Sequence, residues 1–197
     1  RDQPRSRGLG DVYKRQKLCK TFLAGSQVHV GAAIAFPLGQ TTLEDKLSET
    51  RNAIKNGADE IDYVVNLTKL KAGDTAYIES EMARITDICR EFSVVSKVIF
   101  ENCYLTEDEK KTLCHIATKV KPDFIKTSTG FGTGGATFED VALMKRESEG
   151  SGVKIKAAGG IRTLKTALEM INLGVSRIGS TSSVAIMEEY MANSPLL

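Results

Sequence analysis

The 197-residue sequence has little of what marks a metalloprotein, a secreted protein or a membrane protein. Its histidines are His29 and His115, and its four cysteines (Cys19, Cys89, Cys103, Cys114) include no C-x-x-C pair. That set offers no zinc-site spacing, and the cysteines read as reduced thiols of a cytoplasmic protein rather than as a disulfide framework. No apolar run approaches the ~18 residues of a membrane span. The N-terminus lacks the apolar middle of a signal peptide. Net charge is scarce too. The total of +2 contains a net of +3 in residues 1–16, so residues 17–197 carry −1. The slightly basic balance therefore gives no case for nucleic-acid binding by the domain.

The stretch "RDQPRSRGLGDVYKRQ" (residues 1–16) shows no apolar periodicity and is expected to be a non-native-looking or disordered leader. Residues 17–197 read as a single domain, long enough to bury a substantial core. In it, β-branched runs alternate with amphipathic helical patterns. The runs begin at roughly 28, 59, 94, 123, 153 and 176, a spacing of successive βα units. Capping-box patterns fall at Thr41 with Glu44 and at Thr106 with Glu109, and Thr137 with Asp140 is a weaker variant. Leu43, Leu47, Thr50 and Ile54 share one helical face, closed by Gly57. Six such units imply a parallel sheet covered by helices, either an open doubly wound sheet or a (β/α)₈ barrel. Charged and polar residues alternate within the apolar strands: Glu60, Asp62 and Asn66, then Lys97 and Glu101, then Lys154 and Lys156. A barrel interior accepts such groups near its C-terminal mouth, which favours the α/β TIM barrel.

Three strand positions carry the chemistry. Lys126 lies in "DFIKTSTGF", Lys156 in "KIKAAGG" and Asp62 in "EIDYVV". Taken singly, each reads more plainly as a structural ion-pair member. Taken together they are the parts of an imine-forming lysine. A second ammonium disfavours protonation of the first, and a carboxylate relays protons. The small-residue stretches "STGFGTGG", "AAGGIRT" and "GSTSS" suit a phosphate, although ordinary strand-to-helix turns have the same composition. Gly130, Gly132 and Gly135 also match G-x-G-x-x-G, but after the fourth visible strand rather than the first, which weakens a dinucleotide reading.

At these residues the sequence resembles the deoxyribose-phosphate aldolase family. The matching segments are "GADEIDYVVN", "KVIFEN", "PDFIKTSTGF", "KIKAAGGIRT" and "GVSRIGSTSS", in the family's order across residues 17–197. The resemblance implies a class I aldolase on a (β/α)₈ barrel, here with six of eight units, strands three to eight. By it Lys126 is the Schiff-base lysine, Lys156 lowers its pKa, and Asp62 joins the proton relay. Gly130, Gly159, Gly160, Thr181 and Ser182 would bind the phosphate of a small sugar substrate. Neither metal nor cofactor is implied, and a homodimer or homotetramer is the expected assembly. The rival expectations are another lysine-dependent barrel aldolase and a catalytically dead fragment acting as an interaction protein.

Overall fold

The computed structural model describes residues 10–11 and 14–193. Seven parallel strands form one sheet in sequence order: β1 (Gly10–Asp11), β2 (Gly31–Ile34), β3 (Glu60–Val64), β4 (Val95–Ile99), β5 (Phe124–Lys126), β6 (Lys154–Ala158) and β7 (Arg177–Gly179). The helices are α1 (Gln16–Phe22), α2 (Leu43–Lys55), α3 (Leu67–Lys71), α4 (Thr75–Glu91), α5 (Glu107–Val120), α6 (Phe138–Glu147), α7 (Leu164–Asn172) and α8 (Ser183–Asn193).

All six strands read from the periodicity are present, displaced from their expected starts by one to three residues. The stretch set aside as a leader contributes more than expected. Gly10–Asp11 pair with Gly31 and Ala32 of β2, and Gln16 opens α1 as a buried residue. The rest of that stretch, residues 1–9, 12 and 13, lies outside the described residues, as do residues 194–197.

The helix starts follow their capping chemistry. Thr106 accepts from the Glu109 amide, and the Glu109 carboxylate accepts from the Thr106 amide at 2.7 Å, a complete capping box. At α2 the cap is Thr42 rather than Thr41: Thr42 Oγ1 accepts from the Asp45 amide, with its own hydroxyl on the Asp45 carboxylate. At α6 only half the expected box forms, because the Asp140 carboxylate is taken by Lys110 at 2.6 Å.

The sheet is curled. A flat sheet would set β3 and β7, four ladders apart, roughly 19 Å from each other. Yet Arg177 of β7 donates to the Glu60 carboxylate of β3. The side chains of Glu60, Asp62, Lys97, Lys126 and Lys156 therefore converge on the concave face. The convex face carries Ile61, Tyr63, Val98 and Ile125, which pack with Met82 and Leu113 of the outer helices in the main core. Parallel strands with crossover helices and a concave polar interior make this an α/β fold of the TIM-barrel type. A strand order without reversal leaves no crevice of the kind that binds dinucleotides in open sheets.

Candidate active site

Asp62 is the hub. Its Oδ1 accepts from Lys97 Nζ at 2.5 Å, and its Oδ2 accepts from both Lys126 at 2.8 Å and Lys156 at 2.7 Å. Strand register explains the convergence: Asp62 lies beside Lys97, and Lys126 beside Lys156. Sharing one oxygen keeps the two amines within two hydrogen-bond lengths of each other. Burial opposes ionisation of Asp62, but Lys126, Lys97 and Lys156 together outweigh it and hold the carboxyl well below its usual range. Burial pushes Lys156 down to about 8; Asp62 works against that, and the charges of Lys126 and Lys97 reinforce it. Glu60 lies one strand step away in the same interior, against Lys97 at 2.7 Å, Arg177 and His29. Burial alone would raise it, yet its partners, Lys97 foremost, bring it to about 2.

Lys126 and Lys156 sit where two lobes of one cleft meet. The first lobe, about 620 Å³, is lined by the loops after β5, β6 and β7. It contains Gly130, Gly159, Gly160, Thr181 and Ser182, together with Arg162. The expected phosphate residues thus share one cavity with the two lysines. Gly159 and Gly160 have φ of +85° and +79°, a backbone that favours glycine. The loop after β7 is tied to that after β6 by Ser180, which donates to the Ile161 carbonyl at 2.6 Å and accepts from the Ser182 amide at 2.9 Å. The second lobe, about 590 Å³, is bounded by Phe36 and Phe131. Their rings meet edge-to-face at 5.4 Å.

In "GFGTGG", Gly130 has a φ of +88° with open space around it, and the later glycines have packing reasons. A Cβ on Gly135 would lie 2.3 Å from the Gly159 carbonyl oxygen, and one on Gly132 would lie 2.7 Å from Cys103 Sγ. Close approach of two loops accounts for them without a nucleotide. Glu101 braces the same loop through the Thr129 amide at 3.1 Å and the Thr129 hydroxyl.

The residues 10–181 match the DeoC/LacD family of aldolases. The chain belongs to that family. A deoxyribose-phosphate aldolase of Lactobacillus acidophilus is 56% identical over 174 residues, 88% of this chain and 73% of that protein. One from Thermococcus kodakarensis is 48% identical over 176 residues, 88% of this chain and 78% of that protein. Among solved structures, an aldolase called QR15 superposes with a TM-score of 0.84 at 40% identity, covering 90% of this chain and 78% of that one. A tetrameric deoxyribose phosphate aldolase of Aeropyrum pernix superposes with a TM-score of 0.81 at 27% identity, covering 91% and 75%. The family membership makes the chain a class I aldolase, a lyase, by descent.

Sequence reasoning gave no role to Lys97, Glu60, Arg177 or His29, although Lys97 and Glu60 were visible as charges in apolar strands. Register and curl bring these groups together, and neither can be read from a single strand. Lys154, on the same strand face as Lys156, is exposed, with its ammonium 5.7 Å from the Phe124 ring centroid. No helix among the described residues is long and apolar enough to cross a membrane.

Proposed function

We propose that the protein reversibly cleaves 2-deoxy-D-ribose 5-phosphate to D-glyceraldehyde 3-phosphate and acetaldehyde through an imine on Lys126, without a cofactor. The observation that carries this reading is the position of Lys126: at the junction of a glycine- and serine-lined lobe and an aromatic lobe, bridged to Lys156 through one oxygen of Asp62. In the cleavage direction the neutral Nζ of Lys126 adds to the C1 aldehyde of the open-chain sugar, and loss of water gives the iminium. Removal of the C3 hydroxyl proton breaks the C2–C3 bond. Its electron pair becomes the C1–C2 double bond as the iminium π pair settles on nitrogen, leaving an enamine on Lys126 and releasing glyceraldehyde 3-phosphate. Protonation at C2 and hydrolysis return acetaldehyde and the free amine.

Lys156, expected from the resemblance to lower the pKa of Lys126, is itself pushed down to about 8 and so takes the acid–base role, exchanging a proton near neutral pH. Asp62 remains ionised and orients both amines. Gly130, Gly159, Gly160, Thr181 and Ser182 surround the phosphate near the N-terminus of α8, with Arg162 as the nearby cation. The four free thiols suit a cytoplasmic setting, with Cys89 and Cys114 pushed up to about 12, chiefly by burial. Val184, Met187 and Met191 form an exposed apolar face on α8 that fits a homodimer or homotetramer, which light scattering would measure.

Borohydride added with acetaldehyde tests the chemistry. It should fix a two-carbon group on Lys126, and Lys126→Arg should take up none, because a guanidinium stays protonated. A label mapped to Lys156 or Lys154 overturns the assignment.

A further inference from the structure

Lys97 stands in the middle of β4 with no exposed surface, and the chemistry above gives it no step. A buried ammonium is costly unless paired, and this one is paired twice, with Asp62 Oδ1 and Glu60 Oε2. The charged groups on the strands facing this interior are Glu60 and Asp62 from β3, Lys97 from β4, Lys126 from β5, Lys156 from β6 and Arg177 from β7, while Arg162 after β6 and Glu188 of α8 line the first lobe with Lys156. His29, ahead of β2, approaches Glu60 at 2.9 Å, and Lys154 lies further out over Phe124. Among the described residues four cationic side chains thus share two carboxylates. The sharing is uneven. Lys97 holds an oxygen on each carboxylate, Arg177 lies against Glu60, and Lys126 and Lys156 divide one oxygen of Asp62.

We propose that Lys97 is a positioning residue that keeps Lys156 short of counter-charge: by engaging Asp62 Oδ1 and Glu60, it leaves Lys156 only a shared oxygen, so that Lys156 releases its proton readily. The inference rests on the imine reading only in that Lys156 there serves as the acid–base group. Two effects act in one direction. The Lys97 charge repels the Lys156 proton, and its hold on Asp62 dilutes the attraction that would retain that proton. Lys97 also fixes the Asp62 carboxylate, whose second oxygen would otherwise rotate freely between partners.

The test uses the full chain and two variants, Lys97→Met and Lys97→Gln. Methionine removes charge and hydrogen bonds; glutamine removes the charge but keeps a donor for Asp62. Competitive acetylation with trace acetic anhydride across pH, read by peptide mass, gives the midpoint at which Lys156 becomes a free amine, whether or not the protein turns over substrate. The pH profile of kcat gives the same midpoint through chemistry. Both variants should move the Lys156 midpoint and the acid limb of kcat to higher pH by about one unit. Turnover should then be about tenfold slower below the limb and recover above it.

A uniform loss at every pH with the Lys156 midpoint unmoved overturns the proposal, since a merely structural lysine behaves that way. A Lys156 midpoint near the ordinary lysine value in the unmodified chain overturns it as well, and that measurement requires no variant to fold. Failure of the unmodified chain to trap acetaldehyde with borohydride would instead sink the imine reading, with the acetylation midpoints still deciding the role of Lys97.

Discussion

On the convex side of the sheet, Lys46 of α2 meets Glu81 of α4 at 2.7 Å, and neither side chain is exposed. On the concave side, Asp62 takes three ammonium groups. Both are buried ionic groups beside β3, separated by the alternation of Tyr63 and Asp62. They differ in balance. Lys46 has one carboxylate and spends a further bond on the Val64 carbonyl, and the second Glu81 oxygen accepts the Asn66 amide at 3.0 Å. Burial lowers Lys46 and raises Glu81, and each partner offsets the effect on the other. Such a pair, with its remaining bonds satisfied, pins the turn from β3 into α3 and has no charge to spare. The concave cluster has more cations than carboxylates, and the surplus falls on the lysines that line the cleft. Burial is common to the two regions; the supply of counter-charge separates a balanced clamp from a cluster with cations to spare.

Four experiments would break or sharpen that contrast. The largest effect is expected from Lys126→Arg, which should cut aldol cleavage by roughly 10⁴-fold while thermal unfolding changes little, because only the nucleophile is lost. Second, Lys46→Met should cost about 3–5 kcal/mol in urea unfolding, since Glu81 is left buried without its partner. Exchanging both, Lys46→Met with Glu81→Leu, should recover most of that loss, and turnover per folded molecule should stay near the unmodified level. Recovery by the double variant of nothing at all would show that the clamp does more than balance itself.

Acid should separate the regions by sign. Glu60 falls from 4.5 to about 2 on folding, so its contribution to stability is present above the unfolded carboxylate range and is lost as pH falls from about 4.5 towards 2; Asp62, also held low, loses its contribution in the same direction. Glu81 is shifted upward, so in the window above its unfolded value stability gains from protonation as pH falls. Unfolding curves of Glu60→Gln should lose part of the acid-limb slope, whereas Glu81→Gln should not. The smallest effect concerns Gly179. A Cβ there would lie 2.9 Å from the Ala158 Cβ and 3.4 Å from Lys156 Cε, so Gly179→Ala should displace the lysine stem and lower kcat about tenfold. Its melting temperature should fall as well, because the Ala158 Cβ is fixed to a buried strand, and an unchanged kcat would show that the Lys156 stem tolerates the shift.

Much of the fold was legible along the chain because alternation and helical periodicity are local. The six longer strands, the Thr106–Glu109 capping box and the apolar face of α2 through Leu47 and Thr50 follow from spacing alone. The two-residue β1 was not legible, since two residues carry no period and only pairing with β2 defines them. The α2 cap slipped by one residue because consecutive threonines at 41 and 42 offer equivalent chemistry, and backbone geometry chose between them.

The site divides in the same way. By itself the sequence determined that Asp62, Lys126 and Lys156 stand in apolar strands, where an unpaired charge is too costly to be incidental, and that small residues follow the last three strands of the sheet. Tertiary structure decided that these three side chains meet on one carboxylate, that Gly130, Gly159, Gly160, Thr181 and Ser182 line one lobe beside them, and that Lys97 claims the other oxygen of Asp62. The physical reason is distance. Periodicity fixes which face of its own strand a residue occupies, whereas an ion pair between strands three ladders apart exists only because the sheet curls enough to bring Lys156 to Asp62.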